Sequence, residues 1–419
     1  MPTVVLLGTL DTKSAEYAFL RARLAHAGVD TLLIDCGVFE TDTADTADAT
    51  DAGEAIADIS AVELAQLAGT SLDTLRSNAD RGAAIAAMST GAAATLNRLA
   101  ELDQLDGVLA LGGSGGTSIA AHAMRELPVG LPKLIVSTVA SGDTRPYVGA
   151  RDVTMMYSVV DIAGINRVSS RVLANAAHAM AGMVRAAAPE VSEQPLVAAS
   201  MFGVTTTGVT EARRLLEAAG REVLVFHATG TGGQSMEALI NDGYISGVLD
   251  LTTTELADEL VGGVMSAGAN RATVAARTGL AQVVSVGALD MVNFAAPDTV
   301  PHRFADRRLY HHNPQVTLMR TTPEECAELG RRLARRLNTS TGPCVVFLPL
   351  RGVSALSVEG QPFHDPEADA ALFGQIRQTL DRDRVELVEL DTDINDAAFA
   401  AAMAKRLISM TTRPGEGAG

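Results

Sequence analysis

Short apolar, β-branched runs return along this chain at regular intervals, separated by longer stretches rich in Ala, Leu and Arg. In the first half the runs are residues 4–7, 31–34, 107–111 and 133–136. Residues 14–26 and 78–102 between them have helical length and composition, and a further helix is expected after Thr117. Nearly continuous apolar runs alternating with helical stretches predict a parallel sheet covered on both faces, joined by right-handed crossovers. The rhythm restarts in the second half with runs at 196–201, 222–226, 247–251, 282–286, 344–348 and 386–390. Between the two series lies "AAAPEVSEQPLVAAS", where Pro189 and Pro195 stand among polar residues. Such a segment reads as a domain boundary. The expected fold is α/β, two doubly wound Rossmann-like domains with mainly parallel sheets, spanning residues 1–190 and 191–419.

Composition supports this picture. A chain of 419 residues with 47% hydrophobic residues, 20% charged residues and 38 glycines suits two α/β domains rich in strand-to-helix turns. The formal net charge of −17 provides no general field for a nucleic-acid backbone or an anionic membrane, so no nucleic-acid or membrane partner is expected. An anionic ligand would need locally placed donors. Neither a secretion signal nor a spanning apolar stretch is read. Cys36, Cys326 and Cys344 are far apart and odd in number, which argues against a disulfide framework and points to a reducing cytoplasm. The acidic excursion carrying Asp42, Asp45, Asp48 and Asp51 lacks the ligand spacing of a calcium loop and reads as solvated.

The candidate chemistry sits in the turns after the runs. "LGTLDTKS" follows the first one and resembles a shortened phosphate loop, with Gly8 and Lys13-Ser14 in place but Thr12 where the second glycine belongs. "ALGGSGGTSIA" follows the third, and Gly112, Gly113, Ser114, Gly115, Gly116, Thr117 and Ser118 there lead into a helix. Four glycines in five positions suggest positive φ angles and N–H groups converging on an anion at a helix N-terminus. Loops after neighbouring strands of a doubly wound sheet meet at one crevice, so the two turns are expected to form one phosphate site. Lys13 would then supply a cation, Thr9 and Thr12 hydroxyls, and Asp11 a magnesium ligand. Plain tight turns with a solvated lysine would leave the same sequence pattern. Asp35 ends the second run, where an acid binds ribose hydroxyls or caps a turn. A third loop, "STVASGDTRPYVG", brings Ser137, Ser141 and Gly142 to the same edge, with Asp143 a second magnesium candidate.

Several strings together, among them "GTLDTKSAE", "LGGSGGTS", "VSTVASGDT", "SVVDIAGINRVS", "VFHATGTGGQSMEALI", "LDLTTTELADELVGG" and "PLRGVS", resemble the ATP-binding protein family typified by the inhibitory N-terminal domain of the tomato tobamovirus-resistance protein. The resemblance runs from Val4 to about Ala400. It implies two Rossmann-like subdomains, ATP and Mg2+ in the first, and a homodimer.

The second half offers further groups at strand ends. His227 precedes the turn "ATGTGG", Glu255 follows "TTT", Asp290 ends "GALD", and His311, His312, Asn313 and Arg351 fall in later turns. His227, Glu255, Asp290 and Arg351 are expected to line one pocket as an acid/base pair beside a carboxylate clamp. The function expected from all this is ATP-dependent phosphoryl transfer or ligation on a small anionic metabolite; the alternative is a non-catalytic nucleotide-binding regulatory or interaction module. A dehydrogenase is disfavoured, because G-x-G-x-x-G does not follow the first strand.

Overall fold

The computed structural model describes residues 1–39, 55–187 and 194–412. Asp42, Asp45, Asp48, Asp51, Pro189 and the tail from 413 lie outside the described residues. The chain divides into two compact units, Met1–Glu190 and Val191–Gly419.

The first unit is built on strands β1 (Thr3–Gly8), β2 (Asp30–Asp35), β3 (Gly107–Gly112), β4 (Lys133–Ser137) and β5 (Thr154–Tyr157). They form one parallel sheet in the order β2-β1-β3-β4-β5. Strand periodicity sends Val4 and Leu6 to one face, where Tyr17, Leu20, Leu173 and Met180 cover them. Val5 and Leu7 face the other way, toward Met88, Leu96 and Ile119. From β1 the chain moves to one side for β2 and then crosses to the other for β3. The direction of winding therefore reverses between β1 and β3, and the crevice outside their carboxyl ends is where doubly wound sheets bind ligands.

The second unit contains β6 (Leu196–Met201), β7 (Glu222–His227), β8 (Gly247–Thr252), β9 (Gln282–Gly287), β10 (Met291–Phe294), β11 (Leu309–Asn313), β12 (Val316–Arg320), β13 (Cys344–Pro349) and β14 (Val385–Leu390). Six of them make a parallel sheet in the order β7-β6-β8-β9-β13-β14, with its reversal between β6 and β8. The remaining three form an antiparallel sheet, β10-β12-β11. Hydrophobic patterning gave no strands here. β10 and β11 have only four and five residues, and β11 ends in the exposed polar run His311-His312-Asn313, so neither shows a full apolar alternation. Among the described residues no helix is long and apolar enough to cross a membrane.

Candidate functional site

At the reversal point of the first sheet one hydroxyl replaces a rung of the ladder. β1 and β3 pair as far as Leu7 and Ala110, and the next bond would run from the Leu111 N–H to the Leu7 carbonyl. Instead the Leu111 N–H donates to Tyr17 Oη at 2.8 Å, and Oη donates to the Leu7 oxygen at 2.6 Å. The hydroxyl thus joins the ends of the two strands at the crevice. It also explains Gly8, since a Cβ there would lie 1.9 Å from Oη. Burial raises the Tyr17 pKa, so the phenol stays protonated and able to donate.

The crevice holds a cavity of about 470 Å3. On one side lie Thr9, Asp11, Thr12, Lys13 and the segment Gly113–Gly116; Leu75, Ala84, Ile85 and Met88 face them. Gly113 is the N-cap of the helix Ser114–Arg125, and the first bond back to it comes from the Thr117 N–H. The N–H groups of Ser114, Gly115 and Gly116 thus precede the helical ladder and have no acceptor within it. Two cations flank them. Lys13 Nζ is anchored at 2.7 Å on the Ile162 carbonyl. Arg81, the first residue of the helix Arg81–Glu101, brings a guanidinium nitrogen within 3.5 Å of where a Gly115 Cβ would stand. Sequence reasoning missed Arg81, whose signal is modest: a cation directly after the capping Asp80. Asp11 Oδ2 accepts the Val38 and Phe39 N–H groups at 3.2 Å each, while its Oδ1 is buried without a partner among the described residues.

Several expectations need correcting. None of the four glycines after β3 has a positive φ. Close approach explains Gly112, where a Cβ would lie 2.4 Å from the Thr117 nitrogen, whereas a Cβ on Gly113 or Gly115 would make only ordinary contacts. Thr117 and Ser137 are buried and bonded to each other at 2.7 Å, the Ser118 hydroxyl donates to the Ser114 carbonyl, and none of the three lines the cavity. Asp35 does not line the cavity. Its Oδ1 accepts the Leu10 and Gly37 N–H groups, and burial raises its pKa, so it organises the turn and the first helix instead of meeting a ribose. Ser141 and Gly142 belong to an exposed turn outside the cavity. Asp143 is also outside it, held by the Arg145 guanidinium at 2.8 Å, which lowers its pKa to about 2.

The four groups of the second unit do not converge. His227 ends β7 and Arg351 follows β13, four strand spacings away in the sheet order. That is roughly 19 Å, beyond the reach of one small substrate. Arg351 pairs at the surface with Asp391 at 2.6 Å. Glu255 is fully buried. One of its oxygens accepts the Gly230 and Gly233 N–H groups at 2.8 and 3.0 Å, so the glycine turn after β7 is filled by the protein's own carboxylate. Its other oxygen meets Arg271 Nε at 2.6 Å, and Arg271 also holds Asp250 through two bonds of 2.5 and 2.7 Å, with Glu237 at 3.5 Å. Arg271, buried in "GANRATV", was not singled out from sequence.

Asp290 belongs to yet another buried network. Ser354 donates to its Oδ2 at 2.8 Å while Oδ1 has no partner among the described residues. Burial pushes its pKa up to about 6; the nearby Arg320 and Ser354 only partly oppose this. A carboxyl whose folded pKa exceeds its unfolded value of about 3.9 binds more protons when folded, so its ionisation costs stability as pH rises through about 6. Asp290→Asn lacks that cost. The stability of the native protein relative to this variant should therefore fall by about 2 kcal/mol between pH 4 and pH 7.5 in denaturant titrations. A constant difference would show that Asp290 is ionised throughout.

The two units coincide with two family models, described as the N-terminal and C-terminal domains of the uncharacterised protein family UPF0261, which match residues 2–189 and 194–411. The chain belongs to this family. A UPF0261 protein of Clostridium tetani is 51% identical over 408 residues, covering 97% of this chain and 98% of that protein. Another from Rhizobium meliloti is 48% identical and covers 96% and 97%. The ToMV resistance protein Tm-1(GCR237) of Solanum lycopersicum is 40% identical over 98% of this chain, which spans 56% of that longer protein.

Proposed function

We propose that the first unit binds ATP, with its phosphates on the N-terminus of the helix Ser114–Arg125. The observation that carries this reading is the pairing, in one 470 Å3 cavity, of three unladdered N–H groups flanked by Lys13 and Arg81 with an apolar wall of Leu75, Ile85 and Met88. The first half is a built anion seat, and the second accepts the flat, weakly polar face of a base. Asp11 would hold a magnesium ion arriving with the phosphates, since Mg2+ in nucleotide sites takes one or two carboxylates beside phosphate oxygens and waters. Magnesium would neutralise phosphate charge there.

The reading extends to a nucleotide-binding module rather than to phosphoryl transfer, because His227, Glu255, Asp290 and Arg351 sit apart or in closed networks. Isothermal titration with ATP and adenosine tests it. Lys13→Ala and Arg81→Ala should each weaken ATP about ten-fold or more, as expected for a lost charge-assisted contact, and leave adenosine nearly unchanged. Equal losses for both ligands would place the phosphates elsewhere.

A further inference from the structure

The second sheet has its own reversal point, between β6 and β8, and a separate cavity of about 190 Å3 opens at the carboxyl end of β6. Phe202, Gly203 and Val204, the residues directly after β6, form one wall. The hairpin of β11 and β12 forms another, with Val316 and Leu318 lining it and His312 and Asn313 at its tip. The inner end is apolar: Leu318 is 1% exposed and Val204 8%.

We propose that this cavity binds a small organic acid with one apolar body and one carboxylate, of about the size of benzoate. Size, topology and chemistry point the same way. A dry 150 Å3 cavity lined by aliphatic and aromatic side chains takes up benzene, so 190 Å3 admits a ring or branched chain with one polar group added. The site lies at the carboxyl end of β6, one of the two strands that flank the reversal point. The polar rim offers donors. Asn313 Oδ1 already accepts the Gln315 N–H at 2.8 Å, which leaves the Asn313 amide N–H groups to donate outward, and the adjacent His312 ring adds another N–H. A ligand head that accepts hydrogen bonds matches the amide donors of that rim. The conserved logic of a ligand pocket, an apolar interior with a few placed polar groups, is met by residues of this unit alone. It also gives His312 and Asn313 a role that nucleotide binding does not.

The test is a titration of the full chain with benzoate, followed by the methyl resonances of Val204, Val316 and Leu318 and the ring resonances of His312. All should shift saturably, with a dissociation constant in the millimolar range or tighter. Asn313→Ala should weaken benzoate about ten-fold and the neutral benzyl alcohol less. Gly203→Leu should abolish binding, because a Cβ at Gly203 meets no atom within 4 Å and the added side chain has room to fill the cavity. Val316→Phe fills the same space from the hairpin and serves if the first variant misfolds. Shifts that stay linear up to the solubility of benzoate, or that persist in a folded filled variant, would overturn the proposal.

Discussion

Arg271→Met is expected to destabilise the second unit by about 4 kcal/mol, a large part of the stability of an ordinary domain. Arg271 is fully buried among Asp250, Glu255 and Glu237, and it is the cation that all three carboxylates share. Burial alone would favour neutral arginine, but the surrounding carboxylates outweigh it and raise its pKa. Methionine keeps much of the volume and removes the charge, leaving three carboxylates without their shared cation. Guanidinium unfolding at pH 7.5 reads the loss directly. The defect should shrink at pH 5, because burial already raises the Glu237 pKa and removing the opposing Arg271 charge lets that group become neutral on mild acidification. A loss below about 1 kcal/mol, independent of pH, would mean that solvent reaches the cluster and screens it.

The second large effect concerns the nucleotide seat. Gly115→Glu should weaken ATP at least one hundred-fold, a change of about 3 kcal/mol, while leaving the fold as stable as before. Gly115 has no positive φ, and an added Cβ makes only ordinary contacts of 3.5 Å with Arg81 and Ile85, so the backbone accepts the substitution. An acidic residue in the first helical turn is favourable for the helix itself. Placed beneath Arg81, the new carboxylate would occupy the seat proposed for phosphate, much as Glu255 fills the glycine turn after β7. Gly115→Gln, similar in shape and uncharged, should retain more affinity. Normal ATP affinity in Gly115→Glu would remove the phosphates from this helix.

Most strands were legible because central parallel strands must be apolar on both faces, as in β3 and β9, which are buried along their whole length. The hairpin of β11 and β12 was not, since its register rests on pairing with β10 and on the packing of Leu318 against Phe363, both remote in sequence. At the first reversal point the glycines advertised close approach correctly, but the reason was hidden. Gly8 answers to Tyr17 and Gly112 to Thr117, contacts that glycine spacing does not encode. Lys13 was legible from its place after the first turn, whereas Arg81 reaches the cavity only through the packing of its helix. Strand-end position was a poor guide in the second unit. It treated Glu255 and Asp290 as free acids, and burial had committed both to internal partners.

The central claim is that nucleotide phosphates rest on the first-turn N–H groups of the helix Ser114–Arg125. A crystal structure of the full chain grown with Mg2+ and a non-hydrolysable ATP analogue tests it most directly. Phosphate oxygens within about 3 Å of the Ser114, Gly115 or Gly116 nitrogens, with Lys13 and Arg81 turned toward them, are the predicted result. Nucleotide density at another site, with the crevice between β1 and β3 filled only by solvent, would contradict the account.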